Sequence, residues 1–232
     1  MNASRTARER ARAELTREIK DEARRQLAAA GAARLSLRSV ARALGLVSSA
    51  LYRYYPSRDD LLTALIIDAY EDLGKAADAA ADGTDPRSRW MSVCHATRRW
   101  ALDHPHEYAL IYGSPVPGYR APQATVPAAA RVPLLLIRQL QDASAAGALA
   151  PPPERPLTQP LAEQVTALAE EIAPDLPAPV IALAVVAWTQ LFGMISFELF
   201  GHLVGSVDPS EQFFDHACRT MADLLGLPEE GA

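Results

Sequence analysis

The stretch "LSLRSVARALGLVSSALYRYYPSRDDLLTAL", residues 35–65, holds two short helical patterns on either side of a glycine. Ser36 is placed to cap the first of these helices, and Gly45 is placed to end it. A serine pair at 48–49 then begins the second helix, which Pro56 ends. Two short helices joined by a tight turn that contains glycine form a helix-turn-helix. The stretch therefore predicts this motif.

The side chains of the two helices separate into an inner and an outer set. Helical spacing places apolar residues on the faces that would pack together: Leu37, Val40, Ala41, Leu44, Leu46, Ala50 and Leu51. The outer side of the second helix keeps Ser48, Ser49, Tyr52, Arg53 and, one turn on, Tyr54 or Tyr55. Hydroxyl and guanidinium groups are the donors that contact base edges and phosphates of DNA. These residues predict a DNA-facing surface, although a helix-turn-helix is also a packing motif of helical bundles.

The charge of the chain is divided unevenly. The whole protein has a formal net charge of −5, but residues 1–62 carry 13 lysines and arginines against 7 acidic residues. The remaining 170 residues carry 10 against 21. A basic end on an acidic body indicates that only the first part of the chain meets a polyanion.

The rest of the chain is helical in pattern, without the sustained alternation of strands. The first helix is predicted near residues 7–30, with one apolar face formed by Leu15, Ile19, Ala23 and Leu27. Ser57 caps the helix that follows the motif. Helices are predicted near residues 58–80, 87–103, 128–146, 161–172, 179–204 and 210–225, with irregular segments at 112–127 and 151–160. The sequence predicts an all-α protein with an N-terminal three-helix DNA-binding domain (1–62) and a larger helical bundle for ligand binding and dimerisation (63–232).

The quoted stretch resembles the DNA-binding signature of the TetR family of bacterial transcription regulators. The likeness lies in its Ala-Leu-Gly turn, its Leu-Tyr-Arg-Tyr-Tyr segment and the Pro-Ser-Arg-Asp-Asp-Leu-Leu that opens the next helix. It covers about residues 15–65 and implies a sequence-specific repressor that a small-molecule effector releases from its operator. Carried over residue by residue, it implies base-edge contacts from Ser48, Ser49 and Ala50. It implies phosphate contacts from Tyr52, Tyr54 and Arg58, with Arg38 also touching DNA, while Arg53 contacts either a base or a phosphate.

The C-terminal part is similar to a TetR subgroup named for a Trp, a His and a Gly, on the stretches "HPHEYALIYGSPVPGYRAP" and "WTQLFGMISFELFGH". Trp188 and Gly193 match this subgroup, but Phe192 stands where the His is expected. The likeness implies a homodimer, formed through the last two long helices on pseudo-palindromic double-stranded DNA. It also implies a small-molecule effector. The helix that carries Trp90 and Trp100 and the 112–127 loop are the candidates for the cavity and its mouth, and their apolar and aromatic side chains predict a mostly apolar effector with a hydrogen-bonding or anionic group.

The candidate residues for lining that cavity are Trp90, Cys94, Thr97 and Trp188. The first three recur at a spacing of three and four residues on one helix. The same spacing is typical of a face that packs into a protein core. Both interpretations of this face follow from the sequence.

One segment, residues 180–205, is apolar for most of a membrane-spanning length. It is interrupted by Thr189, Gln190, Ser196, Glu198 and His202. This favours a helix that is buried by its own bundle and by a partner subunit, with no membrane span. Glu198 and His202 are four residues apart and are expected to pair.

Other classes of protein find little support in the sequence. Two cysteines cannot form a disulfide framework and indicate a reducing cytoplasm, and the first thirty residues lack the apolar core of a secretory signal. The histidines at 95, 104 and 106 fit no closed zinc site. A phosphate-binding loop, an activated nucleophile and a catalytic carboxylate pair are all missing, so no enzyme activity, metal or cofactor is predicted. Beside a cytoplasmic regulator, one alternative remains: a helical interaction protein whose basic end meets an acidic partner without reading sequence.

Overall fold

The computed structural model describes residues 2–151, 153, 156–227 and 229, with side chains from residue 7 onward. The described residues form α-helices and two short 3₁₀ turns, and they contain no strand, so the predicted all-α class is confirmed. The helices are α1 (Asn2–Ala30), α2 (Leu37–Ala43), α3 (Ser48–Leu51), α4 (Arg58–Ala79), α5 (Pro86–Asp103), α6 (Pro105–Tyr112), α7 (Val126–Ala129), α8 (Arg131–Ala145), α9 (Gln159–Ile172), α10 (Ala178–Leu199) and α11 (Glu211–Leu224).

Most helix ends lie close to the local sequence signals. α4 begins directly after Ser57, whose hydroxyl oxygen accepts a hydrogen bond from the Asp60 backbone N–H at 3.1 Å. Ser36 occupies the N-cap position of α2, although its side chain makes no capping hydrogen bond. α10 ends at Leu199 instead of near residue 204, because Gly201 adopts a φ of 77° that stops the helix.

Two helices differ more strongly from the prediction. α3 covers only Ser48–Leu51, although the prediction extends it to Pro56. α6 lies outside the predicted helices altogether. Pro105 marks the end of α5, but it also stands in the first turn of α6, where a missing backbone N–H costs no hydrogen bond. The same proline therefore ends one helix and begins the next.

The fold divides into two units, and the division falls within α4. The first unit comprises the described residues up to Tyr70 together with His104–Pro127. The second comprises Glu71–Asp103 and the described residues from Ala128 onward. The predicted domain boundary at residue 62 lies ahead of this division, inside the same helix.

The core of the first unit joins α1 to the helix-turn-helix. Ile19, Val40, Leu51 and Leu61 are each 0% exposed and belong to one apolar cluster, as the predicted apolar face of α1 requires. Outside this cluster, the Lys20 ammonium and the Arg24 guanidinium of α1 each donate to a carboxylate oxygen of Asp68 on α4, both at 2.8 Å. These contacts hold the motif on a helical frame.

The loop after α6 also belongs to the first unit. Val116 and Tyr119 pack against the cluster just described, and the Tyr119 hydroxyl lies 2.9 Å from the Thr63 hydroxyl of α4. The Tyr70 hydroxyl donates to the Ile111 carbonyl at 3.2 Å. These contacts hold the loop on the core of the first unit, and its role as the mouth of an effector cavity stays a prediction.

α10 is the central helix of the second unit and packs on α5, α8, α9 and α11. Its inner face is buried through Val180, Ile181, Ala184, Ala187, Leu191 and Ile195. By length and composition it is the one helix in the described residues that could cross a membrane. Its packing on four neighbouring helices favours the core helix expected from the sequence.

Candidate nucleic-acid interface

The turn between α2 and α3 has the geometry that fixes a helix-turn-helix. Gly45 adopts a φ of 66°, in the left-handed region that favours glycine. The Leu46 backbone N–H donates to the Ala41 carbonyl at 2.8 Å, and the Gly45 N–H donates to the Arg42 carbonyl at 3.2 Å. These two bonds close the end of α2 and set the direction in which α3 leaves it.

Helical hydrogen bonding continues for a turn beyond α3. The backbone N–H groups of Tyr52 and Tyr55 donate to the carbonyls of Ser48 and Leu51 at 3.2 and 3.0 Å. Tyr55 turns inward and is buried, and its burial, together with the nearby Asp68 carboxylate, raises the pKa of its phenol. Tyr54 stays half-buried, with the Arg12 guanidinium 5.1 Å from its ring centroid. Of the two tyrosines left open by the sequence, Tyr54 is therefore the one at the surface.

The structure places the predicted DNA-contacting residues at different depths. Arg38, Ser49, Tyr52 and Arg53 are exposed, and the Tyr52 side chain is 42% exposed. Ser48, Ala50, Tyr54 and Arg58 are half-buried. All eight lie on α2, on α3 with its following turn, or at the start of α4. Hydroxyl, phenol and guanidinium groups are thus displayed around one short helix.

Arg58 has a structural role that the sequence does not indicate. Its guanidinium donates to the Leu35 carbonyl at 3.2 Å and to the Ala32 carbonyl at 2.9 Å. It also lies 3.6 Å from the Asp59 carboxylate. These bonds tie the connection between α1 and α2 to the first residue of α4. A phosphate contact from Arg58 remains a prediction, beside this role.

The predicted effector face of α5 is packed core. Trp90, Cys94 and Thr97 are at most 1% exposed. The Trp90 indole N–H donates to the Cys218 carbonyl of α11 at 3.1 Å, and the Thr97 hydroxyl donates to the Val93 carbonyl at 2.8 Å. Burial raises the pKa of the Cys94 thiol, which keeps it protonated. These contacts favour the core interpretation of this face, and the assignment of the three residues to a cavity wall stays a prediction.

Among the described residues of the second unit, the side chains of Gln139 and Trp188 have buried polar atoms without a hydrogen-bond partner. Both amide atoms of Gln139, a residue 1% exposed on α8, have no hydrogen-bond partner among the described residues. The indole nitrogen of Trp188 on α10 is also buried and has no hydrogen-bond partner among the described residues. Trp188 is a predicted effector residue, whereas Gln139 is absent from the prediction. The sequence feature that could have identified Gln139 is a single amide side chain on a helix face that is otherwise apolar. That face is formed by Val132, Leu136, Leu140 and Ala143.

A partly buried ion pair joins α5, α10 and the start of α11. The Arg98 guanidinium donates to both oxygens of Glu198 at 2.8 and 2.6 Å, and the Ser210 hydroxyl donates to Glu198 at 2.7 Å. Burial alone would raise the pKa of Glu198, but these hydrogen bonds and the Arg98 charge outweigh it and lower that pKa. The expected pairing of Glu198 with His202 is wrong as to partner, because the imidazole of His202 lies against the Phe197 ring, 5.1 Å between centroids.

The outward face of α10 carries an exposed apolar stripe. Val186, Phe197 and Phe200 are 51%, 55% and 45% exposed, and Phe213 of α11 is 36% exposed. Ile195, in contrast, is 0% exposed and belongs to the core. We call Val185, Val186, Phe197, Phe200 and Phe213 the α10–α11 stripe.

A metal site has no basis in the described residues, which hold no group of three or more His, Cys, Asp or Glu side chains able to bind an ion. His95 instead lies 3.1 Å from the Asp215 carboxylate and against the Phe214 ring.

Comparison with known proteins matches both parts of the chain. Residues 19–65 match the family model of bacterial regulatory proteins of the tetR family, and residues 90–221 match the tetracyclin repressor-like C-terminal domain. The HTH-type transcriptional regulators Rv1816 of Mycobacterium tuberculosis and Mb1846 of Mycobacterium bovis are each 40% identical over 227 residues, covering 93% of this chain and 94% of theirs. These relatives are regulators of transcription and not enzymes.

Among solved structures, the regulatory protein SCO4313 is similar along nearly the whole chain. It shares 34% sequence identity with a TM-score of 0.78, over 93% of this chain and 98% of its own. The finer likeness to the Trp-His-Gly subgroup, in which Phe192 replaces the His, stays a prediction.

Proposed function

The chain belongs to the TetR family of bacterial regulatory proteins, and we propose that it is a cytoplasmic homodimeric repressor, released from a pseudo-palindromic operator by a small-molecule effector. The observation that carries the DNA-binding part is the exposed set of Ser49, Tyr52 and Arg53 on a fixed helix-turn-helix. The basic balance of residues 1–62 supports it, because phosphate attraction supplies much of the affinity for DNA.

Recognition of the operator divides between two kinds of contact. Ser48, Ser49 and Ala50 stand at the start of α3, where a recognition helix meets base edges. Tyr52 and Tyr54, with Arg38 from α2, are placed to contact phosphates. Substitution of Ser49 should therefore change the preferred base, whereas loss of a phosphate contact should weaken binding to all sequences.

Titration with operator and with random competitor DNA tests this proposal. A repressor binds its operator about 10³-fold or more tighter than random DNA. A helical interaction protein that meets acidic partners without reading sequence would bind both alike. Equal affinities at several salt concentrations would therefore favour that alternative.

Substitutions of Tyr52 and of Arg58 should distinguish an effect on DNA binding from an effect on the stability of the fold. Tyr52→Ala is expected to leave the free energy of unfolding unchanged, since the side chain is exposed, and to weaken binding to every DNA sequence. Arg58→Ala is expected to lower the free energy of unfolding by about 1–3 kcal/mol, because the Ala32 and Leu35 carbonyls lose a charged donor. Urea denaturation and fluorescence anisotropy with labelled DNA measure the two effects. Tyr52→Phe serves as the control that keeps the ring, and an Arg58→Ala protein as stable as the parent would contradict this role.

Dimerisation is supported by the reach of the motif and by the α10–α11 stripe. One copy of α3, four residues long, can span only a few base pairs, so useful specificity requires two copies on inverted half-sites. The stripe offers large apolar side chains that a second copy would cover. Gly193 lies on the same helix, and a Cβ placed there would meet nothing within 4 Å, which leaves room for a close approach.

The effector part of the proposal rests on the unpartnered atoms of Gln139 and Trp188. A buried amide without a partner is costly to the fold, and a ligand that hydrogen-bonds to it would remove that cost. α8 and α10, which carry the two residues, pack on one another in the second unit. A mostly apolar effector with a hydrogen-bonding group fits this chemistry.

Gln139→Leu should uncouple stability from the response to effector. Leucine removes the unpartnered amide, so the free energy of unfolding is expected to rise by about 1–3 kcal/mol. Release of DNA by effector should be lost in the same variant. Gln141→Leu is the matched control on the same helix, because the Gln141 amide already donates to Asp175 at 2.6 Å. Urea denaturation measures stability, and a Gln139→Leu protein less stable than the parent would contradict the assignment.

A further inference from the structure

A groove of about 460 Å³ runs between α9 and α10 in the second unit. Its walls are formed by Leu161, Val165 and Leu168 of α9 and by Ala182, Leu183 and Val186 of α10. Leu157, ahead of α9, and Pro179, at the start of α10, contribute to the lining as well. Val185 and Val186 line the groove and also belong to the α10–α11 stripe, so the groove lies beside the proposed dimer interface. It is separate from the residues assigned to DNA and from Gln139 and Trp188.

The lining of the groove has a uniform chemistry. All described lining residues except Gln164 are aliphatic, and none of them carries a charge or an aromatic ring. Gln164 is exposed on α9 and supplies one amide. Burial of a charged ligand group here would be costly, because no described lining residue could pair with it. The groove therefore suits an uncharged, aliphatic molecule with a hydrogen-bonding group at one end.

The dimensions of the groove favour a small molecule over a protein partner. Ligand sites in proteins measure roughly 300–1,000 Å³ and are lined mainly by apolar side chains. A stable protein interface needs about 800 Å² from each partner, much more than a groove lined by eleven residues offers. We propose that the groove between α9 and α10 binds a neutral aliphatic ligand, such as a medium-chain alcohol or ester, with Gln164 at its polar end. The proposal needs no DNA binding, and its failure would leave the proposed function intact.

Binding of a neutral lipophilic dye to the full-length protein tests this site. N-phenyl-1-naphthylamine should bind with a saturable rise in fluorescence at one site per chain, and 1-decanol should displace it. Decanoate and decyltrimethylammonium should displace it poorly, because the described lining residues offer their charges no partner. Ala182→Phe, which fills the groove from a half-buried position, should abolish dye binding. Ala145→Phe is the control, since Ala145 is exposed on α8 and does not line the groove.

A second variant keeps the test independent of folding. Gln164→Ala lies on the exposed rim and should weaken displacement by 1-decanol about two- to tenfold, the value of one hydrogen bond, while dye binding persists. Three results would overturn the proposal: no saturable binding, equal displacement by the charged and neutral chains, or dye binding that survives Ala182→Phe. Dye binding seen only in a monomeric variant would also overturn it, because a second copy would then cover the groove.

Discussion

Replacement of Phe197 by aspartate is expected to give a folded monomer whose affinity for the operator has fallen by about 10³-fold or more. Phe197 belongs to the α10–α11 stripe and is 55% exposed, so an aspartate there leaves the core intact. In a dimer, however, the carboxylate would be buried against apolar side chains without a partner. A monomer reads one half-site, which reduces binding toward its nonspecific level.

Sedimentation velocity and DNA titration on the same samples measure both effects. Leu102→Asp is the matched control, because Leu102 is 39% exposed on α5 and lies outside the stripe. That variant should remain dimeric and bind DNA as the parent does. Ile195 of the same helix is unsuitable for this test, because it is buried and an aspartate there would unfold the second unit. A dimeric Phe197→Asp protein would show that the stripe is not the interface.

Removal of the Glu198 carboxylate should destabilise the second unit much more than removal of a surface carboxylate. Glu198→Ala leaves the Arg98 guanidinium, whose side chain is 15% exposed, without its bidentate partner. The pair is only partly buried, so loss of one partner should cost less than the roughly 3–5 kcal/mol of a fully buried pair, about 2–3 kcal/mol. Urea denaturation measures the loss. Asp72→Ala is the control, because the Asp72–Lys75 pair lies on the surface and its removal should cause no measurable change. An equally small change in Glu198→Ala would contradict the importance of this pair.

The same carboxylate should make stability depend on pH. The pKa of Glu198 is lowered in the folded protein, so its contribution is fully present above the ordinary carboxyl pKa of about 4.3 and is lost as the pH falls through the lowered value. The difference in the free energy of unfolding between the parent and Glu198→Gln should therefore be largest near pH 7 and shrink below about pH 4. A difference that grows on acidification would have the wrong sign.

The helix-turn-helix could be predicted from sequence because short-range signals specify it. Gly45 permits the positive φ of the turn, and Pro56 separates α3 from α4. The Ser57 hydroxyl caps α4 by accepting a hydrogen bond from the backbone N–H of Asp60, three positions later. Each of these effects acts within a few residues along the chain. α6 escaped prediction because Pro105 has two local meanings, as the end of one helix and the first turn of another.

The contacts that define the second unit could not be predicted in the same way. Arg98 and Glu198 are separated by 100 positions, and Trp90 and Cys218 by 128. The spacing of Trp90, Cys94 and Thr97 fits a core face and a cavity wall equally well, and only the position of α11 decides between them. Likewise, Gln139 looks in the sequence like any polar residue on a helix. It is distinguished only by the burial of its whole helix face, which depends on the tertiary structure.

Selection of bound sequences from a random duplex pool by the purified full-length protein measures sequence-specific DNA binding itself. We expect enrichment of one pseudo-palindrome with two inverted half-sites, bound about 10³-fold or more tighter than a shuffled duplex. Substitution of Ser49 should shift the preferred base within each half-site. A pool that emerges without a common sequence, bound no better than shuffled DNA, would contradict the claim that this protein is a sequence-specific regulator.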